Sequence, residues 1–194
     1  MGYIFLKDEN MMKALNIAQE QMTYFSKEKL ALGALLSWYI SAKASYNSKK
    51  IDEAINICEK SLKIAQSAKI SCSYFGAIFQ MLLAKCYLAK GDEESAKMYN
   101  EMAIELTNQN DIPILRMFAY EIRAKIMQEG IMRIEESKKI DFAKKTMKVI
   151  EKSYNLAKTI GIDYYVEYFK KEKTSFKAFC KLNNLEEKER VINR

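Results

Sequence analysis

Apolar residues return every three or four positions along most of the chain, and short polar breaks interrupt them at regular distances. From Asp8 to about Ser26 the apolar set is Met11, Met12, Leu15, Ile17, Ala18, Met22 and Phe25, which fall on one face of a helix. A second helix is predicted from Leu30 to Tyr46, carrying Leu32, Leu35, Leu36, Trp38, Tyr39 and Ala42. A third runs from Ile51 to about Ala68 through Ala54, Ile55, Cys58, Leu62 and Ala65, and a fourth from about Cys72 to Ala89. Gly91-Asp92 then makes the sharpest turn, with Gly for the left-handed conformation and Asp to cap the next helix. That fifth helix, Glu93 to about Thr107, holds Ala96, Tyr99, Met102, Ala103 and Leu106. Asp111 is expected to be the N-cap of a sixth helix with Pro113 in its first turn.

Inside this pattern a small residue recurs at a fixed offset across each break. Gly2 and Ala14, Ala42 and Ala54, and Ala84 and Ala96 are each 12 residues apart. Two helices that cross closely need a small side chain where they meet. The next pair, Ala124 and Ala143, is 19 apart, seven residues more than the others. Seven residues is about two helical turns. The sequence therefore predicts a sixth helix that continues past Gly130 through Ile131, Met132 and Ile134. After Gly161 a last helix alternates Tyr165, Tyr168, Phe169, Phe176 and Phe179 with Lys170, Lys171, Lys173, Lys177 and Lys181. One unit of two helices has been copied at a step of 40 to 42 residues, which predicts an all-α solenoid of antiparallel hairpins.

Composition narrows the picture. One Pro and six Gly in 194 residues leave little to break helices. No stretch approaches the ~20 uninterrupted apolar residues of a membrane span, and no signal peptide opens the chain, so a cytoplasmic location is expected. Cys58, Cys72, Cys86 and Cys180 lack the paired spacing of a zinc site and read as free thiols in helices. The net charge of +7 comes mostly from lysine interleaved with Glu, with little Arg. That is the pattern of a solvated surface, and nucleic acid is not the expected partner.

The copy from Gln80 to Leu106 contains Leu83-Ala84, Tyr87, Gly91-Asp92, Ala96, Tyr99 and Ala103; the copy at Trp38 contains Ala42, Ala54 and Ser61. These residues resemble a tetratricopeptide repeat array over about residues 2–161, with Gly2-Tyr3-Ile4-Phe5 matching only the latter half of a first helix. The family's unit is usually ~34 residues, shorter than the step here. The longer helices are similar to repeats in large bacterial regulators, including ATPase-coupled transcription activators and receptors for signalling peptides. The resemblance implies a right-handed superhelix in a single domain over residues 1–194. It would consist of a half-repeat at 2–26, repeats at about 30–68, 72–107 and 112–160, and a capping helix at about 163–182. It also implies a concave face that binds peptides or proteins. Entry into the repeat midway through a helix predicts part of a larger protein, and a homodimer through the N-terminal hairpin would cover its open edge.

Candidate chemistry is sparse. The chain has no histidine, so the commonest general base and metal ligand are missing. No Gly-rich phosphate loop occurs, and adjacent carboxylates such as Glu93/Glu94 or Glu135/Glu136 diverge on a helix. No catalytic residue, cofactor or metal is expected. One constellation stands out: a lysine follows three successive small residues, giving Lys43, Lys85 and Lys125. Tyr39 and Asn47 flank Lys43, Met81 and Leu88 flank Lys85, and Glu121 and Gln128 flank Lys125 at helical spacing. In tetratricopeptide arrays this position faces the groove, so the resemblance implies a basic ladder for an acidic peptide. The expected function is a non-catalytic peptide- or protein-binding module, the sensing or scaffolding part of a bacterial regulator. The alternatives are a basic helical repeat for nucleic acid, and a small-molecule or lipid site beside Ile131 to Ile134 and the terminal aromatic helix.

Overall fold

A computed structural model describes residue 20 and residues 31–67 and 73–185 of the chain. Among the described residues there are seven helices and no strand. They are α1 (Ala31–Asn47), α2 (Ile51–Ser67), α3 (Ser73–Ala89), α4 (Glu93–Gln109), α5 (Pro113–Ile131), α6 (Glu136–Ile160) and α7 (Asp163–Leu182). The protein is all-α, as the spacing of apolar residues predicts. The first hairpin, with Gly2, Ala14, Met11, Leu15 and Phe25, lies outside the described residues, as do Cys72 and the homodimer surface assigned to that hairpin. No described helix is long and apolar enough to cross a membrane.

Two compact units divide the chain between Leu115 and Arg116, within the first turn of α5. In the first unit, α1 packs on α2, α2 on α3 and α3 on α4, and α1 also touches α3. Its core gathers Leu35 and Ala42 of α1, Ala54, Ile55 and Cys58 of α2, and Phe79, Leu82, Leu83 and Cys86 of α3. Ala84 and Ala96 are also fully buried, so the small residues of both breaks sit inside. Gly76 marks another close approach: a Cβ there would stand 2.9 Å from Leu106 Cδ2 of α4. The second unit has its own core of Ala124, Ile131, Ala143, Ile150, Phe176, Cys180 and Leu185. Along α7, Phe169 and Phe176 are buried while Lys170, Lys171, Lys177 and Lys181 are exposed, which is the amphipathic pattern expected.

Helix ends repeat one device. A residue with positive φ is followed by a backbone N–H that donates five residues back, satisfying a carbonyl of the last turn. Lys50 N reaches Ser45 O at 2.9 Å, Asp92 N reaches Tyr87 O at 3.0 Å, Ile112 N reaches Thr107 O at 3.0 Å and Leu185 N reaches Cys180 O at 2.9 Å. The positive φ belongs to Lys49 (63°), Gly91 (78°), Asp111 (47°) and Asn184 (54°) respectively. Only one of these four is the glycine that the conformation favours. Lys49 is exposed, and its side chain gains nothing from the strained position. Lys49→Gly is therefore expected to raise stability by about 0.5–1 kcal/mol. Urea unfolding checks this, and an unchanged or lower midpoint counts against it.

Asp92 caps α4 as expected: its Oδ1 accepts from Ser95 N at 3.0 Å and its Oδ2 from Ser95 Oγ at 2.7 Å. Those two bonds hold its carboxyl below the usual carboxylate range. Two expectations are corrected. Asp111 does not flank α5, because the residue before Pro113 is Ile112; Asp111 instead supplies the left-handed residue that ends α4. The long break differs as well. α5 stops at Ile131, and Met132 to Ile134 form a turn rather than more helix. Most of the extra length enters α6, which begins at Glu136, seven positions before Ala143, whereas α2 and α4 begin three before Ala54 and Ala96.

Candidate binding faces

Each unit carries one of the polar constellations singled out from the sequence. In the first, Tyr39, Lys43 and Asn47 project along one side of α1. Lys43 Nζ lies 5.9 Å from the centre of the Tyr39 ring, and that ring meets Phe79 of α3 edge-on at 6.1 Å. The Lys43 ammonium holds its proton less tightly than an ordinary lysine, first because burial desolvates it and second because Lys85 repels it. Lysines 42 positions apart are thus neighbours, brought together by the packing of α1 on α3. Asn47 is exposed, and Tyr39, Lys43, Lys85 and Leu88 are half-buried. Met81 departs from the expected set: it is buried and belongs to the core side of α3.

In the second unit Glu121, Lys125 and Gln128 share a side of α5. Lys125 Nζ donates to Glu121 Oε1 at 2.6 Å, and the Tyr168 hydroxyl of α7 donates to the same oxygen at 2.9 Å. The Glu121 side chain is only 9% exposed, so these donors compensate a carboxylate taken largely out of water. Burial first, and then the negative charge of Glu121, push the Tyr168 phenol well above its ordinary pKa. Glu121 was expected as a groove residue, and it is instead a buried acceptor. Tyr168 was legible only as one more ring of the last helix, since nothing local marks a partner 47 residues away. Lys125 is thus an ion-paired residue of the second unit, while Lys43 and Lys85 form a like-charged pair in the first.

Other reactive groups are quiet. Cys58, Cys86 and Cys180 are buried free thiols. Burial pushes Cys86 up to about 12, and burial with Cys86 and Glu59 nearby pushes Cys58 up as well. Both thiols stay protonated at neutral pH, which disfavours nucleophilic attack and thiolate ligation. Tyr87 stacks on Tyr99 with ring centres 5.4 Å apart and donates to Glu59 Oε1 at 3.3 Å, tying α2, α3 and α4 together. Among the described residues no group of three or more Cys, Asp or Glu side chains is placed to hold a metal ion. Of the residues expected beside a small-molecule site, Ile131 is buried in one cluster with Phe176 and Cys180, whereas Met132 is exposed and Ile134 half-buried. No family model, curated protein or solved structure matches the chain.

Proposed function

We propose that the chain is a non-catalytic binding module built of tetratricopeptide-like hairpins, and that the α1–α3 face takes an acidic peptide or protein segment. The observation that carries this reading is the pairing of Lys43 with Lys85 beside the half-buried Tyr39 ring. Two ammonium groups held together in a partly desolvated place repel each other, and a carboxylate laid between them relieves that repulsion. Tyr39 and Leu88 supply partly exposed ring and aliphatic surface nearby for the rest of a peptide. The repeat reading draws support from the burial of Ala42, Ala54, Ala84 and Ala96 and from four successive helices of 17 residues each. A superhelical stack of such hairpins serves binding better than turnover. The absence of histidine from the sequence and the protonated state of the two core thiols favour binding over catalysis. The setting that fits is the sensing or scaffolding part of a larger bacterial regulator.

The double substitution Lys43→Ser with Lys85→Ser tests the face. Fluorescein-labelled decapeptides of mixed Asp/Glu content are titrated with the full chain, and anisotropy is read. The variant is expected to weaken the best-bound peptide at least tenfold while circular dichroism and Tm stay as in the native chain. Partly exposed lysines contribute little to stability, so a fall in Tm is not expected. Equal binding by variant and native chain overturns the reading. So does a failure of the native chain to bind any acidic peptide at low salt.

A further inference from the structure

The net charge of the chain is unevenly divided. Residues 1–115 contain 13 Lys, no Arg and 13 Asp or Glu, so they are neutral overall. Residues 116–194 contain 19 Lys or Arg against 12 Asp or Glu, so the whole +7 of the chain falls in the second unit. All five Arg residues are there too. Averaged over the chain this charge passes for an ordinary solvated surface. Confined to one unit it is a field.

Within that unit the charge is concentrated on α6. Lys144, Lys145, Lys148 and Lys152 are all exposed. At 100° per residue they fall within an arc of about 100° on one side of the helix, with steps of about 6 Å between Lys144, Lys148 and Lys152. Among the described residues no carboxylate pairs with Lys145, Lys148 or Lys152. Two acids of the same helix lie near the stripe: Glu151 is engaged by Lys173 of α7 at 2.7 Å, and Asp141, one turn before Lys144 and Lys145, is exposed. Lys152 Nζ lies 5.2 Å from the centre of the Tyr120 ring, which sets an aromatic group beside the stripe.

We infer that this face of α6 binds the phosphate backbone of a nucleic acid, independently of the peptide face proposed for the first unit. The make-up of the face selects the partner. A helix that settles into a membrane presents apolar side chains to insert, and α6 exposes no large hydrophobic residue. A protein interface is centred on aromatic or aliphatic anchors and depleted in lysine. What α6 offers is a row of four ammonium groups against one exposed carboxylate, Asp141, with the polar Asn155 and Thr159 on the same side, which suits regularly spaced phosphates. Lysines without paired forks to read base edges predict contact that is indifferent to sequence.

The test uses the full chain, fluorescein-labelled 20-mers in single- and double-stranded form, and anisotropy titrations from 50 to 300 mM salt. With about three to four phosphates engaged, log K is expected to fall with log salt at a slope of about −2 to −4. Combining Lys144→Gln, Lys145→Gln, Lys148→Gln and Lys152→Gln is expected to weaken binding at 50 mM salt at least tenfold and to flatten the slope. A matched control removes four exposed lysines from the first unit: Lys50→Gln, Lys60→Gln, Lys63→Gln and Lys97→Gln. It should stay within twofold of the native chain. A native chain that ignores both oligonucleotides at 50 mM salt overturns the inference. Two other results overturn it as well: a control as weak as the α6 variant, or co-sedimentation with phosphatidylserine vesicles without oligonucleotide binding. Unchanged circular dichroism and Tm in the α6 variant separate lost contacts from lost fold.

Discussion

Phe79→Ala is expected to unfold at a markedly lower urea concentration than the native chain, with a loss of about 3–5 kcal/mol. Phe79 is 0% exposed and is among the largest fully buried side chains. It sits in the core of the first unit with Leu35 and Ala42 of α1 and Ala54, Ile55 and Cys58 of α2, so its removal opens a cavity bordered by three helices. That cavity cannot close easily, because α1, α2 and α3 each pack on the other two around it and α3 is also held by α4. The edge-on contact with Tyr39 disappears too. Tyr39→Ala is the comparison: its ring is half-buried, so its loss falls well short of that for Phe79. Equal losses for the two variants would place Tyr39 in the core and remove it from the proposed peptide face.

Enlarging a small residue at a break should do the next greatest damage. Ala54→Leu adds three carbons to a position that is fully buried, in the same cluster as Ala42, Cys58 and Phe79. Overpacking at such a place costs about 1–3 kcal/mol, because rigid helices must part before the new side chain fits. Ala178→Leu on α7 is the control: that position is exposed, and its change should stay within about 0.5 kcal/mol. Chemical denaturation of both variants decides the matter. If Ala54→Leu were as harmless as Ala178→Leu, the small residues would reflect composition and not the needs of close helix packing.

The elements themselves were legible from residue order. Helix positions follow the 3.6-residue return of apolar side chains, and the stop at Gly91-Asp92 follows from glycine's conformational freedom and a carboxylate's reach to Ser95. Both are decided within about five residues of chain, so no partner is needed to read them. The 12-residue spacing of Ala42 with Ala54 and of Ala84 with Ala96 also located buried positions correctly, since only a small side chain suits a close crossing. Where two local solutions competed, residue order was not enough. Asp111 suits a helix start as well as a left-handed stop, and the backbone bond from Ile112 to Thr107 takes the second. The extra residues between Ala124 and Ala143 could lengthen either helix; α5 stops at Ile131, which is buried with Phe176 and Cys180, and most of them go to α6.

Charge was the least legible property, because a charge acts on what lies near it in space. Lys43, Lys85 and Lys125 look equivalent in sequence. Packing of α1 on α3 makes the first two neighbours, whereas Lys125 shares the buried carboxylate of Glu121 with Tyr168. Local patterning determined that this protein is helical, where its helices run and which of their faces are apolar. Only the tertiary structure decided which charges meet and where the boundary between the two units falls, since those depend on contacts between residues far apart in the chain.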